Sequence, residues 1–281
     1  MNRAEEVQNR IANIQQIKGV VIAMRGLAAA HVRDANRHLE AIRAYEATIG
    51  EAIAEALFSF PAPETGFHSH DAQSRLTVIV GAEQGFSGAY NEQILERALA
   101  DDPLSPPQDF IVIGQRCISD FPTNRKAPLW TCHMAALTDE VPAVASRIVD
   151  AIFERVETGA FKEVYIVSAQ PSSRSYVLNR NRIVPFDFTR FTKPVQARAP
   201  LVLVPPRDLI ENLVEEYVFS EICEALMLGF AAENDARMQA MTRARKNVER
   251  TNAELTRQFH QLRQEQTTNE IIELSSSSQP V

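Results

Sequence analysis

Two proline-free stretches, Ala4–Leu57 and Arg207–Leu274, carry apolar residues at helical spacing over unusually long runs. In the first, Val7, Ile11, Ile14, Lys18, Val21, Arg25, Ala28, Val32, Ala35, Leu39, Ile42, Glu46, Ile49 and Ile53 follow a near-unbroken 3–4 alternation. That is a heptad seam with three charged interruptions, the pattern of a coiled coil not built for maximal stability. Ala28, Ala29 and Ala30 make a narrow waist where another helix can approach, and Gly19 and Gly26 weaken the helix locally. In the second stretch the seam is clearest late, at Met238, Met241, Arg245, Val248, Asn252, Leu255, Phe259 and Leu262. At about 1.5 Å per residue the two helices would run roughly 80 and 100 Å. A domain made from the remaining ~150 residues would measure only about 40 Å across, so the helices are expected to protrude from it. Neither seam pairs within itself, and the simplest packing sets one helix antiparallel against the other.

Between Arg75 and Pro205 the period changes. Leu76–Val80, Phe110–Ile113 and Val164–Ser168 are short β-branched runs that read as buried strands, with helical patterns at Asn91–Ala100 and Val141–Val156 between them. Strand alternating with helix implies a parallel, Rossmann-like α/β sheet. Tyr176–Leu178 and Ile183–Phe188, joined by Asn179-Arg180-Asn181-Arg182, read as an added hairpin. The expected organisation is an N-terminal coiled-coil helix at 1–58, a central α/β domain at 75–205, a C-terminal coiled-coil helix at 206–274 and a flexible tail at 275–281. Ser59–Ser74, with two prolines and two histidines, reads as a loop.

Composition narrows the function classes. The chain has 281 residues, a net charge of −7 and a pI near 5.5, which argues against a nucleic-acid binder. Arg237, Arg243, Arg245, Lys246, Arg250, Arg257 and Arg263 nevertheless crowd one stretch. They form either a solvated helix face or a surface for an acidic protein partner. Three scattered cysteines, Cys117, Cys132 and Cys223, fit a reducing compartment better than a disulfide scaffold or a zinc site. The first ten residues are polar, and no apolar run approaches the ~20 residues of a membrane span.

Candidate chemistry is sparse. Gly81–Asn91 follows the first strand and opens a helix, but it lacks both the GxGxxG spacing and the Gly-Lys-Ser/Thr ending of nucleotide loops. Gly85-Phe86-Ser87 hints at a nucleophile elbow, yet Ala89 stands where that motif wants glycine. A tight structural turn is the simpler reading. His68-Ser69-His70-Asp71 lies in loop-like sequence with no second metal-ligand cluster, and His31 reads as a packing residue. No catalytic group, cofactor or metal is expected.

Together the chain ends and the turn resemble the gamma subunit of F-type ATP synthases, the central rotor stalk. Val7, Ile11 and Ile14, then Ala23, Met24, Leu27, Ala28 and Ala29, fit the family's first helix. Glu83–Asn91 stands where the family has Asp-Arg-Gly-Leu-Cys-Gly-Gly-Leu-Asn. Glu233–Met241 resembles its Glu-x2-Ala-Arg-Met-x-Ala-Met, and Arg263-Gln264 with Thr268–Leu274 resembles its C-terminal motif. Departures at Ile17, Gly19, Ile22, His31 and Ser87, and the serine tail, resemble a divergent bacterial branch, such as an alternative rotary ATPase that pumps ions by hydrolysis.

The resemblance implies a non-catalytic rotor subunit on the cytoplasmic face of a bacterial membrane, peripheral rather than inserted. It would couple proton or sodium flow through the membrane ring to ATP synthesis or hydrolysis on alpha and beta subunits. Implied contacts with the alpha/beta hexamer are Met24, Arg263, Gln264, Ile271, Ile272 and Leu274. Leu201 and Leu203 are implied at the foot, near the epsilon subunit and the c ring. The rival readings are a free-standing coiled-coil adaptor with a ligand-binding head, or a serine hydrolase at Ser87.

Overall fold

The structure, a computed structural model, describes residues 3–60, 74–100, 107–157, 161–173, 175–191 and 202–277. The elements run α1 (Arg3–Ser59), β1 (Ser74–Val80), α2 (Tyr90–Leu99), β2 (Gln108–Ile113), α3 (Gln115–Asp120) and β3 (Trp130–Cys132). They continue with α4 (Val141–Glu157), β4 (Phe161–Pro171), β5 (Tyr176–Val184) and α5 (Pro206–Ser277). The chain divides into two compact units. One holds the segments up to Ala28 and from Met238 onward; the other is Ala29–Arg237.

In the larger unit, a five-stranded sheet has the order β3-β2-β1-β4-β5. β1 lies parallel to β2 and β4, β2 is parallel to β3, and only the edge strand β5 is antiparallel. One sheet face, with Leu76, Val78 and Val80, shares a core with α4, with Ala35 and Leu39 of α1, and with Ile210, Val218, Ile222 and Leu226 of α5. The other face, with Ile79, Val112 and Val167, packs under Tyr90, Ile94 and Ala98 of α2. Burying both faces explains why β1 and β2 read as continuous apolar runs rather than alternating ones. Gly229 lets α5 pass close to β1, because a Cβ there would meet Val80 Cγ1 at 2.7 Å.

Within this unit α1 and α5 run antiparallel: the His31 ring lies 5.4 Å from Phe230, Arg43 pairs with Glu224 at 2.7 Å, and Tyr217 donates to Glu46 at 2.7 Å. Arg190 bonds both Glu221 (2.7 Å) and the Tyr217 hydroxyl (3.1 Å), and Phe186 and Phe191 pack on the Tyr217 ring. This ties the segment after β5 to both helices. In the smaller unit, Lys18 meets Glu249 at 3.4 Å. Every predicted seam position on both helices is buried or half-buried, whereas Ile17, Val20, Ile22 and Leu27, which lie off the seam, are exposed.

Three details differ from the sequence reading. Tyr176–Val184 is one strand, not a hairpin; Asn179, Arg180 and Asn181 pair in register with Ser168, Val167 and Ile166. The turn-like composition yields to ladder hydrogen bonds and to the Asn179 amide, which donates to Gln170 at 2.9 Å. Strand β3 and helix α3 are additions of three and six residues. Helix α5 extends through Ser277, so Ser275–Ser277, expected in the tail, continue the helix.

Candidate functional site

The turn after β1 is held by side chains rather than by space for a ligand. Gly81 donates its amide to Ile113 O at 3.0 Å, and a Cβ on Gly81 would strike Cys117 Cβ at 2.2 Å. Asn91, at the start of α2, accepts from the Ala82 amide (2.9 Å) and donates to Asp120 (3.1 Å). The tip bends back through Phe86 (φ 64°) and Gly88 (φ 67°). A left-handed phenylalanine costs about 1–2 kcal/mol, and this one leaves its ring 68% exposed.

Two carboxylates fix the turn from opposite sides. Glu83 accepts from the amides of Met134 (2.8 Å) and Gln115 (2.9 Å) and lies 2.8 Å from His133 Nδ1. Burial pushes this carboxyl up, but the Gln115 amide, the His133 ring and the Met134 amide outweigh it and hold it below the usual range. From α5, Glu233 accepts from the amides of Glu83 (3.2 Å) and Gln84 (3.3 Å). Arg237, one turn further along α5, pairs with Glu233. It also donates to the carbonyls of Gln84 (3.1 Å) and Gly85 (3.2 Å) and to Asn234 Oδ1 (2.9 Å). The two side chains are 7% and 3% exposed, a buried ion pair with its donors and acceptors engaged. Burial pushes Glu233 above the usual carboxyl range despite Arg237 and both amides.

This clamp answers two of the sequence questions. The Glu83 and Gln84 amides, which in a phosphate loop would face an anion, already face the Glu233 carboxylate, so the turn does not cradle a nucleotide. Ser87 is buried, and among the described residues it bonds to no histidine or acid, so nothing there activates a nucleophile. The clamp also corrects the basic stripe. Arg237 is buried within it and Arg245 is bonded to Glu249 at 2.9 Å, whereas Arg243, Lys246, Arg250, Arg257 and Arg263 are exposed. The sequence signal was present: Glu and Arg four apart on the face that also carries Phe230, Ala231 and Asn234.

The other predicted site residues fall on three surfaces. Met24 is half-buried, beside exposed Ile17, Val20 and Leu27. The four positions are spaced 3–4–3, a second apolar stripe off the α1 seam that sequence reading had not separated from it. Arg263 and Gln264 are exposed near the end of α5, with the Arg263 guanidinium 5.9 Å from the centre of the Phe259 ring. Ile271 and Ile272 are 61% and 58% exposed, and Leu274 lies within the helix. Leu203 is 90% exposed at the rim of a cavity of about 400 Å³ lined by Ala52, Ala56, Val202, Leu209 and Leu213. Leu201 and the His68–Asp71 segment lie outside the described residues. Among the described residues there is no metal-binding cluster and no helix long and apolar enough to cross a membrane.

A family model described as ATP synthase matches residues 3–280. The ATP synthase gamma chain of Salinibacter ruber is 25% identical, the match covering 99% of this chain and 98% of that one. The gamma chain of Bdellovibrio bacteriovorus is 24% identical over 99% of both. Among solved structures, the rotor of the Euglena gracilis mitochondrial ATP synthase shares the fold with a TM-score of 0.63 at 12% identity, covering 94% of this chain and 98% of that one. The central stalk and c-ring structure from the Tetrahymena thermophila mitochondrial enzyme gives 0.56 at 19% identity, covering 80% and 99%.

Proposed function

We propose, from the premise that the chain belongs to the ATP synthase gamma family, that it is the central-stalk rotor subunit of a rotary ATPase. It couples ion flow through a membrane ring to ATP turnover on an alpha/beta hexamer. The subunit is non-catalytic, and it works peripherally on the cytoplasmic face of a bacterial membrane. Selection of proton or sodium is left to the ring.

The observation that carries the mechanism is the buried Glu233–Arg237 clamp. A rotor must pass force between its α/β sheet and its long C-terminal helix without slip. Charge-assisted hydrogen bonds from one turn of α5 to three consecutive backbone units, Glu83, Gln84 and Gly85, provide a stiff, directional joint. Partner affinity and rotor position are then two expressions of one coupling free energy.

Exposure of Arg263, Gln264, Ile271 and Ile272 supports a contact surface there, and the family resemblance adds Met24 and Leu274. Met24, on the stripe of Ile17, Val20 and Leu27, together with Arg263, Gln264, Ile271, Ile272 and Leu274, faces the alpha/beta hexamer. Exposed apolar residues at helical spacing need a covering surface, and a ring of subunits supplies one. Phe86, held outward by a strained backbone, joins them as a further contact. Leu203, with the cavity beside it, forms the foot toward epsilon and the c ring, and the family resemblance adds Leu201 to that foot.

The test is co-purification of the tagged chain from its native cell, followed by ATPase assay. Stoichiometric alpha and beta subunits with MgATP turnover support the reading. A lone protein or homodimer refutes it and leaves the coiled-coil adaptor. Within the assembled complex, Arg263→Glu is expected to lower coupled ATP hydrolysis, and unchanged hydrolysis with unchanged pumping removes Arg263 from the mechanism.

A further inference from the structure

The α1–α5 seam of the smaller unit carries four polar residues, Lys18 and Arg25 on α1 and Arg245 and Asn252 on α5. Lys18 meets Glu249 at 3.4 Å, and Arg245 bonds the same carboxylate from one turn away at 2.9 Å. These two bonds, the Arg245 one first, hold the Glu249 carboxyl below its usual range. Asn252 is half-buried, and its Oδ1 atom is buried with no hydrogen-bond partner. The rest of the seam is apolar: Val7, Val21 and Met241 are buried, and Ile11, Ile14, Val248 and Leu255 are half-buried.

From the Lys18–Glu249 contact, the 3–4 spacings of the two antiparallel seams set Ile14 across from Asn252, Lys18 from Val248, Val21 from Arg245 and Arg25 from Met241. Each polar residue thus faces an apolar one, and the polar side changes helix at every layer. A slip of three or four residues would set Arg245 across from Lys18 or from Arg25, two like charges in a half-buried seam. A slip of seven keeps polar against apolar, but it moves Lys18 from Glu249 to Thr242 or Thr256. Of these registers only the native one keeps the cations apart and gives two of them a shared carboxylate. An apolar side chain at Asn252 would remove the cost of its unsatisfied oxygen. A lone asparagine in such a seam is the kind of residue that trades stability for register.

We infer that Lys18, Arg245, Glu249 and Asn252 act together as a register lock, positioning residues that give up stability to hold the two helices at one axial offset. The lock belongs to the seam itself and does not depend on the rotor assignment. Its consequence for partners does rest on that assignment. A slip of one heptad carries Arg263, Ile271 and Ile272 about 10 Å along α1, away from the surfaces they would meet.

The test places cysteine pairs in the full-length chain at seam positions outside the lock. Ile11→Cys is combined with Leu255→Cys for the native register, with Phe259→Cys for a four-residue slip, and with Leu262→Cys for a seven-residue slip. Each chain is refolded from urea and oxidised, the disulfide is scored by peptide mass mapping, and the helix signal of the reduced chain is followed on heating. With the lock intact, the native pair should close at least about tenfold more than either slipped pair. With Lys18→Leu, Arg245→Leu and Asn252→Leu combined, the slipped pairs should come within about threefold of the native one, and the chain should unfold no earlier than its parent. Asn252→Leu alone should raise the unfolding temperature without opening the four-residue slip, since Arg25 still meets Arg245 there. A native-only disulfide in the triple leucine variant, slipped disulfides with the lock intact, or earlier unfolding of either leucine variant overturns the lock.

Discussion

Arg237→Ala is the sharpest test of the clamp. The substitution removes the guanidinium and leaves the Glu233 carboxylate, 3% exposed, without its counter-charge. It also strips the carbonyls of Gln84 and Gly85 of their side-chain donors. Breaking a buried pair from one side costs about 3–5 kcal/mol, because the remaining charge stays desolvated. Replacing exposed Arg243 by alanine should cost no more than about 0.5 kcal/mol. Trp130 in β3 is the sole tryptophan, so its fluorescence in urea reports the unit that contains the clamp. With a slope near 3 kcal/mol/M, the Arg237→Ala midpoint should fall by about 1–1.7 M. Burial already pushes the Glu233 carboxyl up, so the pair itself adds little net stability. The double variant Glu233→Gln/Arg237→Met should therefore regain much of the loss. An Arg237→Ala shift worth less than about 1 kcal/mol would show the clamp to be a minor contact, and the force-bearing role would fall with it.

Two further outcomes follow. The Glu83 carboxyl is held below its ordinary value of 4.5, so its contribution is present above that pH and lost as pH falls through the lower folded value. Wild type should lose more stability between neutral and strongly acid pH than Glu83→Gln, and parallel acid-unfolding curves would contradict the assigned hydrogen bonds. Burial pushes Cys117 and Cys223 up to about 12. At pH 8 only about one thiol in ten thousand is then ionised. A chromogenic disulfide reagent should find both silent until urea is added, and rapid labelling of the folded chain at either residue would refute that burial.

The long helices were legible because 3–4 periodicity is a local signal repeated many times. Val7, Val21, Ala28, Leu39 and Ile53 each restate the same face, so one charged interruption such as Lys18 does not obscure it. The parallel strands were legible because burial on both sides leaves an uninterrupted run such as Thr77–Val80. Asn179–Arg182 was misread since Asn and Arg carry turn character, while strand pairing comes from β4, a partner the local window does not contain. Trp130–Cys132 is too short to show alternation, and Gln115–Asp120 too short to show helical periodicity. The Glu233–Arg237 spacing is a local signal, but the carbonyls Arg237 serves are not, because they lie about 150 residues earlier. The stripe at Ile17, Val20, Met24 and Leu27 became visible only once the seam had claimed its own side of α1.

Gly19 and Gly26 stand in the middle of α1 with open space where their Cβ atoms would be. No neighbour forbids alanine at either site, and each glycine weakens the helix by about 1 kcal/mol. Within this chain, then, packing does not require glycine at either site, and its local effect is on elasticity. A helix segment with two such residues twists and bends more readily under load than the same segment in alanine. A chain with both sites changed to alanine would be the more stable molecule and the stiffer spring. In a motor driven by discrete chemical events, that compliance lets strain build in one step and relax in the next, smoothing the torque that reaches the other end.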